Sequence, residues 1–190
     1  MIQLLRRLLI LACALFVTAA QAFDSPPVAT VAVSKASVRA LFSPGDDIAG
    51  QMIDAISHAR RQVLVQAFSF THDGIAGALL LAHHRGVEVR LIADREQTLA
   101  LDHGQVAGLA RAGIPVWLDG NHQSAHNKVL IIDAGTPNAT VITGSFNFTR
   151  AAQHKNAENV VFISDNDALV AAYVQNWQRH LAHSQAPNSH

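Results

Sequence analysis

The chain is short of cysteine, of net charge, of aromatic side chains and of any long apolar run. Its single cysteine, Cys13, lies in the first apolar stretch. Once that stretch is removed, no disulfide, thiolate nucleophile or cysteine zinc site is available. Lys plus Arg and Asp plus Glu each number 14, a formal net charge of +0, and charged residues are only 15% of the chain. Bulk charge therefore does not mark a nucleic-acid binder, which is more often plainly basic. The longest apolar run, Leu8 to Ala20, falls short of the roughly 20 residues that cross a bilayer. There is also no H-E-x-x-H helix signature. What the chain does have is 49% hydrophobic residues in 190, enough for the core of one ordinary domain and too many for a disordered polymer.

Arg6 and Arg7 precede the apolar run, and Ala20-Gln21-Ala22 follows it with small residues at the cleavage positions. This is the pattern of a secretion signal over residues 1–22, with Phe23 as the first mature residue. An uncleaved anchor is the alternative. Cleavage takes the 14 basic residues to 12 against 14 acidic ones, a net charge of −2. A periplasmic or secreted protein is expected, with no stable membrane association once the signal is cleaved.

Residues 23–37 are rich in Pro, Ala, Ser and Val without helical period and read as a linker or arm. Residues 38–183 read as one catalytic domain and 184–190 as a polar tail. Within the domain, strands are expected at 38–42, 62–70, 87–93, 114–118, 128–133, 140–143 and 159–163. Helices are expected at 46–59, 73–85, 97–112 and 165–183, several of them stopped by glycines such as Gly86 and Gly113. The dense apolar run 62–70 suits a strand covered on both sides. The alternation implies an α/β fold with a mixed, mostly central β-sheet flanked by helices on both faces.

The informative stretch is His126-Asn127-Lys128, then Asp133, Gly144-Ser145-Phe146-Asn147 and Glu158. Side chains two apart on an extended chain share a face, so His126 projects with Lys128 and Ser145 with Asn147. Asp133 has the opposite parity to His126 and reads as structural. A phosphodiester is anionic and gains charge on its non-bridging oxygens during transfer. Lysine supplies fixed positive charge, and Asn and Ser supply neutral donors. An imidazole can attack phosphorus or protonate the leaving oxygen, and a carboxylate such as Glu158 can fix its tautomer. One such histidine per chain leaves one of those two roles empty. A two-fold homodimer fills it by bringing His126 from both subunits to a shared site.

The H-x-K-x4-D pattern followed by G-S-x-N resembles the signature of the phospholipase D superfamily. A single copy in a short exported chain resembles that superfamily's small bacterial endonucleases. The likeness extends over about 38–177, through Ala67-Phe68-Ser69-Phe70-Thr71 and Asn156-Ala157-Glu158-Asn159. It implies a phospholipase D-like fold and no need for a divalent metal. It also implies a histidine that becomes phosphorylated while its symmetry mate acts as general acid, a part that falls on His126. Lys128 and Asn147 would bind phosphate, Ser145 would donate a supporting hydrogen bond, Glu158 would orient the histidine, and Asp133 would be structural. The loop between the two motif halves, 134–140, is longer than the resemblance leads one to expect.

Around this set, Arg150, Lys155, His122 and His154 are tentative substrate contacts, being basic or on loops near the motif. Phe68, Phe70, Phe146, Phe148 and Trp177 read as core. His83 and His84 are adjacent and face different ways, while His103, His122 and His154 lack ligand spacing, so no metal and no cofactor are expected. The expected function is a metal-independent endonuclease acting on DNA and also open to RNA. The alternatives are a lipid hydrolase or phosphatidyltransferase with the same chemistry, and a nucleic-acid-binding protein without catalysis.

Overall fold

The computed structural model describes residues 36–187. The signal expected over 1–22 and nearly all of the arm expected over 23–37 lie outside the described residues. The element order is β1 (Ser37–Ser43), α1 (Ile48–His58), β2 (Gln62–Ala67), α2 (Asp73–His84), β3 (Glu88–Asp94), α3 (Arg95–Ala100) and α4 (Val106–Arg111). It continues with β4 (Val116–Asp119), β5 (Val129–Ile132), β6 (Thr140–Gly144), α5 (Arg150–His154), β7 (Glu158–Ser164) and α6 (Asp167–His183). All seven strands form one sheet in the order β1-β7-β6-β5-β2-β3-β4. β2, β3 and β4 run parallel, as their helical crossovers require, and the remaining pairs are antiparallel.

Strand alternation divides the core between two faces. Val63, Val65 and Ala67 of β2, with Leu130 and Ile132 of β5, pack under α1 and α2 against Ile48, Met52, Ile56, Ile75 and Leu79. Leu64, Val129, Ile131 and Val141 point the other way onto Val170 and Trp177 of α6. Trp177 is only 1% exposed, and its indole N–H donates to the Val65 carbonyl at 3.0 Å. This is the mixed α/β sheet with helices on both faces that the sequence implies.

Three local expectations need correction. The helix expected over 97–112 is two helices. Asp94 caps the first by accepting from Gln97 N–H at 2.7 Å, and the chain then turns through Gly104 so that Gln105 N–H reaches the Phe70 carbonyl at 2.9 Å. A tertiary bond to the segment that follows β2 outweighs helical continuity. The short α5 escapes a periodicity reading because it is little over one turn long. It is capped by Thr149, which accepts from Ala152 N–H at 3.1 Å. The tail expected from 184 is docked at its start, where Leu118 and Gln185 exchange backbone hydrogen bonds at 2.7 and 3.0 Å.

Candidate active site

Register brings the motif residues together. Gln66, Val129, Thr143 and Val161 lie in one row across β2, β5, β6 and β7. The chain therefore leaves β2 toward Phe68, enters β5 from His126, leaves β6 toward Ser145 and enters β7 at Glu158, all at one end of the sheet. The segments beyond the strands are also joined. Thr71 and His72 N–H both donate to the Phe148 carbonyl at 2.9 Å, tying the extension of β2 to the Gly144–Asn147 turn.

Gly144 is required by crowding: a Cβ there would lie 2.1 Å from the Asn159 carbonyl oxygen. With that close approach, Ser145 N–H donates to the same oxygen at 3.0 Å. Ser145 Oγ donates to Glu158 Oε2 at 2.5 Å and accepts from Asn159 N–H at 3.1 Å. Asn156 Nδ2 donates to Glu158 Oε1 at 2.9 Å. Glu158 is thus held by Ser145 and Asn156, and in the free chain it makes no hydrogen bond to His126. Its expected grip on the imidazole is replaced here by a grip on the serine turn.

His126 is exposed, whereas Lys128 is buried at 6% exposure. The Lys128 ammonium donates to the His126 carbonyl at 2.7 Å and lies 4.8 Å from the centre of the Phe68 ring, within cation–π range. The His126 imidazole packs on that same ring with 4.4 Å between centres. Phe68 is therefore a platform beneath both reactive groups rather than a plain core residue, while Phe70, Phe146 and Phe148 are buried as expected. Burial pushes the Lys128 ammonium down to about 8, and the Glu158 and Asp94 carboxylates pull the other way. Asn147 Oδ1 is buried without a hydrogen-bond partner; an amide oxygen accepts, so any hold on a phosphate oxygen falls to the Nδ2 donor of the same side chain.

Asp94 escaped the sequence reading. Besides capping α3, it accepts from Ala125 N–H at 2.7 Å through Oδ2 and so fixes the residue just before His126. An aspartate closing a strand gives no periodic signal, and only the fold shows what it holds. Asp133 sits at the opposite end of β5 with φ of 51°. Its carboxylate accepts the N–H groups of Arg60, Arg61 and Gln62 at 2.7–3.1 Å. It is a cradle for the turn into β2, in agreement with its parity.

Of the tentative contacts, Arg150 is exposed and donates from one guanidinium nitrogen to both Asp73 carboxylate oxygens at 2.8 and 2.9 Å. His154 ends α5 and Lys155 caps it, both exposed. His122 is drawn elsewhere: its Nδ1 lies 3.0 Å from Asp119 Oδ2, in a cluster with His180 and His183. The expectation of no metal-type ligand set fails at this cluster. Two of its members come from α6, far from the motif in sequence, so spacing around His122 alone does not reveal it.

The geometry allows an anionic diester to meet an exposed imidazole and a buried cation at the end of the sheet where Ser145 and Asn147 also lie. A family model described as a cardiolipin synthase, PLD-like domain matches residues 52–181. A phospholipase D from Rickettsia bellii (strain RML369-C) is 39% identical over 145 residues, covering 76% of this chain and 69% of the relative. A phospholipase D family member, Nuc, from Salmonella typhimurium superposes with a TM-score of 0.74 at 34% identity, covering 82% of this chain and all of that one. NucT from Helicobacter pylori shares the fold, with a TM-score of 0.72 at 24% identity over 80% of this chain and all of that one.

Proposed function

The chain belongs to the phospholipase D superfamily, and from that premise we propose that it is an exported endonuclease, acting on DNA as a two-fold homodimer. The observation that carries this reading is the exposed His126 beside the buried Lys128, at the same end of the sheet as Ser145 and Asn147, present once per chain. The proposed reaction has two displacements. A nitrogen of His126 attacks phosphorus and the bond to the leaving oxygen breaks. The partner subunit's His126 gives that oxygen a proton. Water then attacks the phosphohistidine and passes a proton to the same second histidine, which restores both. Lys128 and Asn147 balance charge on the non-bridging oxygens.

A homodimer is supported by an apolar stripe that runs into the site. Val38 and Phe42 of the edge strand β1 are 61% and 59% exposed. Phe42 pairs with Asn159, whose N–H holds Ser145. A two-fold contact along this stripe would bring the two histidines toward one another. A groove across two such sites would suit a polymer strand, and the expected signal over 1–22 supports export.

The test is cleavage of plasmid DNA by the purified protein, with excess EDTA added with the substrate, beside His126→Ala. Cutting by the wild type alone is expected. No cutting by folded wild type would overturn the DNA reading. The name of the Rickettsia relative, a phospholipase D, favours a second reading, a phospholipid phosphodiesterase using the same groups. Release of headgroup from phosphatidylcholine or cardiolipin vesicles, without nucleic-acid cleavage, would select it.

A further inference from the structure

At the end of the sheet beside the active site, the chain gathers four side chains that phosphodiester chemistry does not use. Asp119 closes β4, His122 stands in the loop that follows, and His180 and His183 lie one turn apart on the last turn of α6. Positions three apart on a helix share a face, so both imidazoles reach the same carboxylate. Asp119 Oδ2 lies 2.9 Å from His180 Nδ1, 3.0 Å from His122 Nδ1 and 3.2 Å from His183 Nε2. One ligand atom from each of the four residues falls within 4.8 Å of all the others.

We propose that Asp119, His122, His180 and His183 form a closed four-ligand site for a divalent transition cation of the zinc class. One oxygen facing three ring nitrogens is a crowded hydrogen-bond arrangement, but it gathers four donor atoms, all within 4.8 Å of one another, around one point that a cation can occupy. With metal–ligand bonds of roughly 2.0–2.1 Å, the edges of a tetrahedral coordination sphere are about 3.3 Å, a few tenths of an ångström longer than the three oxygen–nitrogen distances. With ring centres about 1.1 Å beyond the bonded nitrogens, three imidazoles on one tetrahedral ion stand about 5 Å apart. The three ring-centre separations here are 5.0, 5.1 and 5.3 Å, a nearly equilateral triangle.

The surroundings fit a ligand set. The Asp119 side chain is fully buried, and its second oxygen accepts from Asn121 N–H at 3.1 Å, which orients the carboxylate as metal ligands commonly are. Gln66 is buried with neither its amide oxygen nor its amide nitrogen partnered. It borders the same small gap as Asp119 and His180, where an amide could orient a ligating ring. Three imidazoles and one carboxylate, with no cysteine among the described residues, suit zinc among first-row ions. Four protein ligands leave no open position, so the role is structural. The ion would clamp the C-terminal end of α6 to β4 and fix the loop from Asp119 that ends at Ala125, immediately before His126. Asp119 and Asp94 are paired across β4 and β3, so the clamp stands beside the carboxylate that holds Ala125.

This site does not depend on the substrate of the enzyme, and its test does not read activity. The untagged full chain is purified without added metal and its metal content measured by mass spectrometry. The protein is then stripped with a chelator and titrated with Zn2+ and with Co2+. About one zinc per chain, or uptake of one equivalent with the intense visible bands of tetrahedral Co2+, is expected. Loss of that uptake in His180→Ala/His183→Ala is expected too. If the double variant does not fold, the wild-type Co2+ spectrum decides alone. A folded wild type that takes up neither ion, or gives only weak octahedral bands, overturns the proposal and leaves a hydrogen-bonded cluster.

Discussion

The burial of Lys128 makes phosphate binding sensitive to pH in a range where an ordinary lysine is inert. Its ammonium titrates at about 8 instead of 10.5. The clearest readout is the affinity of the His126→Ala protein for a DNA dinucleotide. The diester stays a monoanion, and no catalytic histidine titrates. If only protonated Lys128 binds, the neutral form grows from roughly a tenth of the charged form at pH 7 to roughly a hundredfold excess at pH 10. Affinity then falls about 90-fold across that span, against about 1.3-fold for a lysine at its ordinary value. Lys128→Arg should flatten the dependence, because a guanidinium stays charged throughout. Stability moves in the opposite sense. Lys128 holds its proton less tightly folded than unfolded, so the unfolded chain binds more protons between about pH 8 and 10.5, and stability rises with pH across that window. Lys128→Met should therefore stabilise the protein at neutral pH by up to about 3 kcal/mol in urea melts while abolishing phosphate binding. Affinity that is flat to pH 10 in His126→Ala would refute the reasoning.

Two further perturbations separate scaffold from site. Asp133→Ala orphans the N–H groups of Arg60, Arg61 and Gln62 and should cost about 3 kcal/mol or more by denaturant unfolding, with activity per folded molecule unchanged. A loss of activity in fully folded protein would instead give Asp133 a chemical part. Phe42→Asp places a charge in the exposed stripe and should yield a monomer by sedimentation, with at least a hundredfold loss of cleavage, on the scale of losing an acid catalyst (~10²–10⁴). An active monomer would remove the shared-site mechanism.

The parts of this fold that follow local rules were legible. A dense apolar run placed β2, glycines closed the helices, and the parity of Asp133 separated it from the reactive face before its cradle was visible. The motif itself named His126, Lys128, Ser145, Asn147 and Glu158. What was not legible depends on residues distant in sequence. The break between α3 and α4 answers to the Phe70 carbonyl. Phe68 alternates like its neighbours, yet it supports His126 and Lys128 because the strand ends beneath them. Asp94 looks like an ordinary helix cap until the loop before His126 is seen to hang from it. The Asp119 cluster is the sharpest case. Its only local signals are D-x2-H and H-x2-H, each weak alone, and only the sheet and α6 together bring them within bonding distance.

The backbone pairing of Gln185 with Leu118 also bears on how the protein behaves in concentrated solution. β4 is the last strand on its side of the sheet, and an unprotected last strand is a template on which a second molecule can add its own. The returning tail occupies both backbone groups of Leu118, so that border is partly closed by the molecule itself. Shortening the chain just after His183 would reopen it. The resulting protein should keep its catalytic groups yet be prone to stacking into ordered aggregates, so an affinity handle at this end is best joined through a spacer that leaves residues 184–187 free to dock.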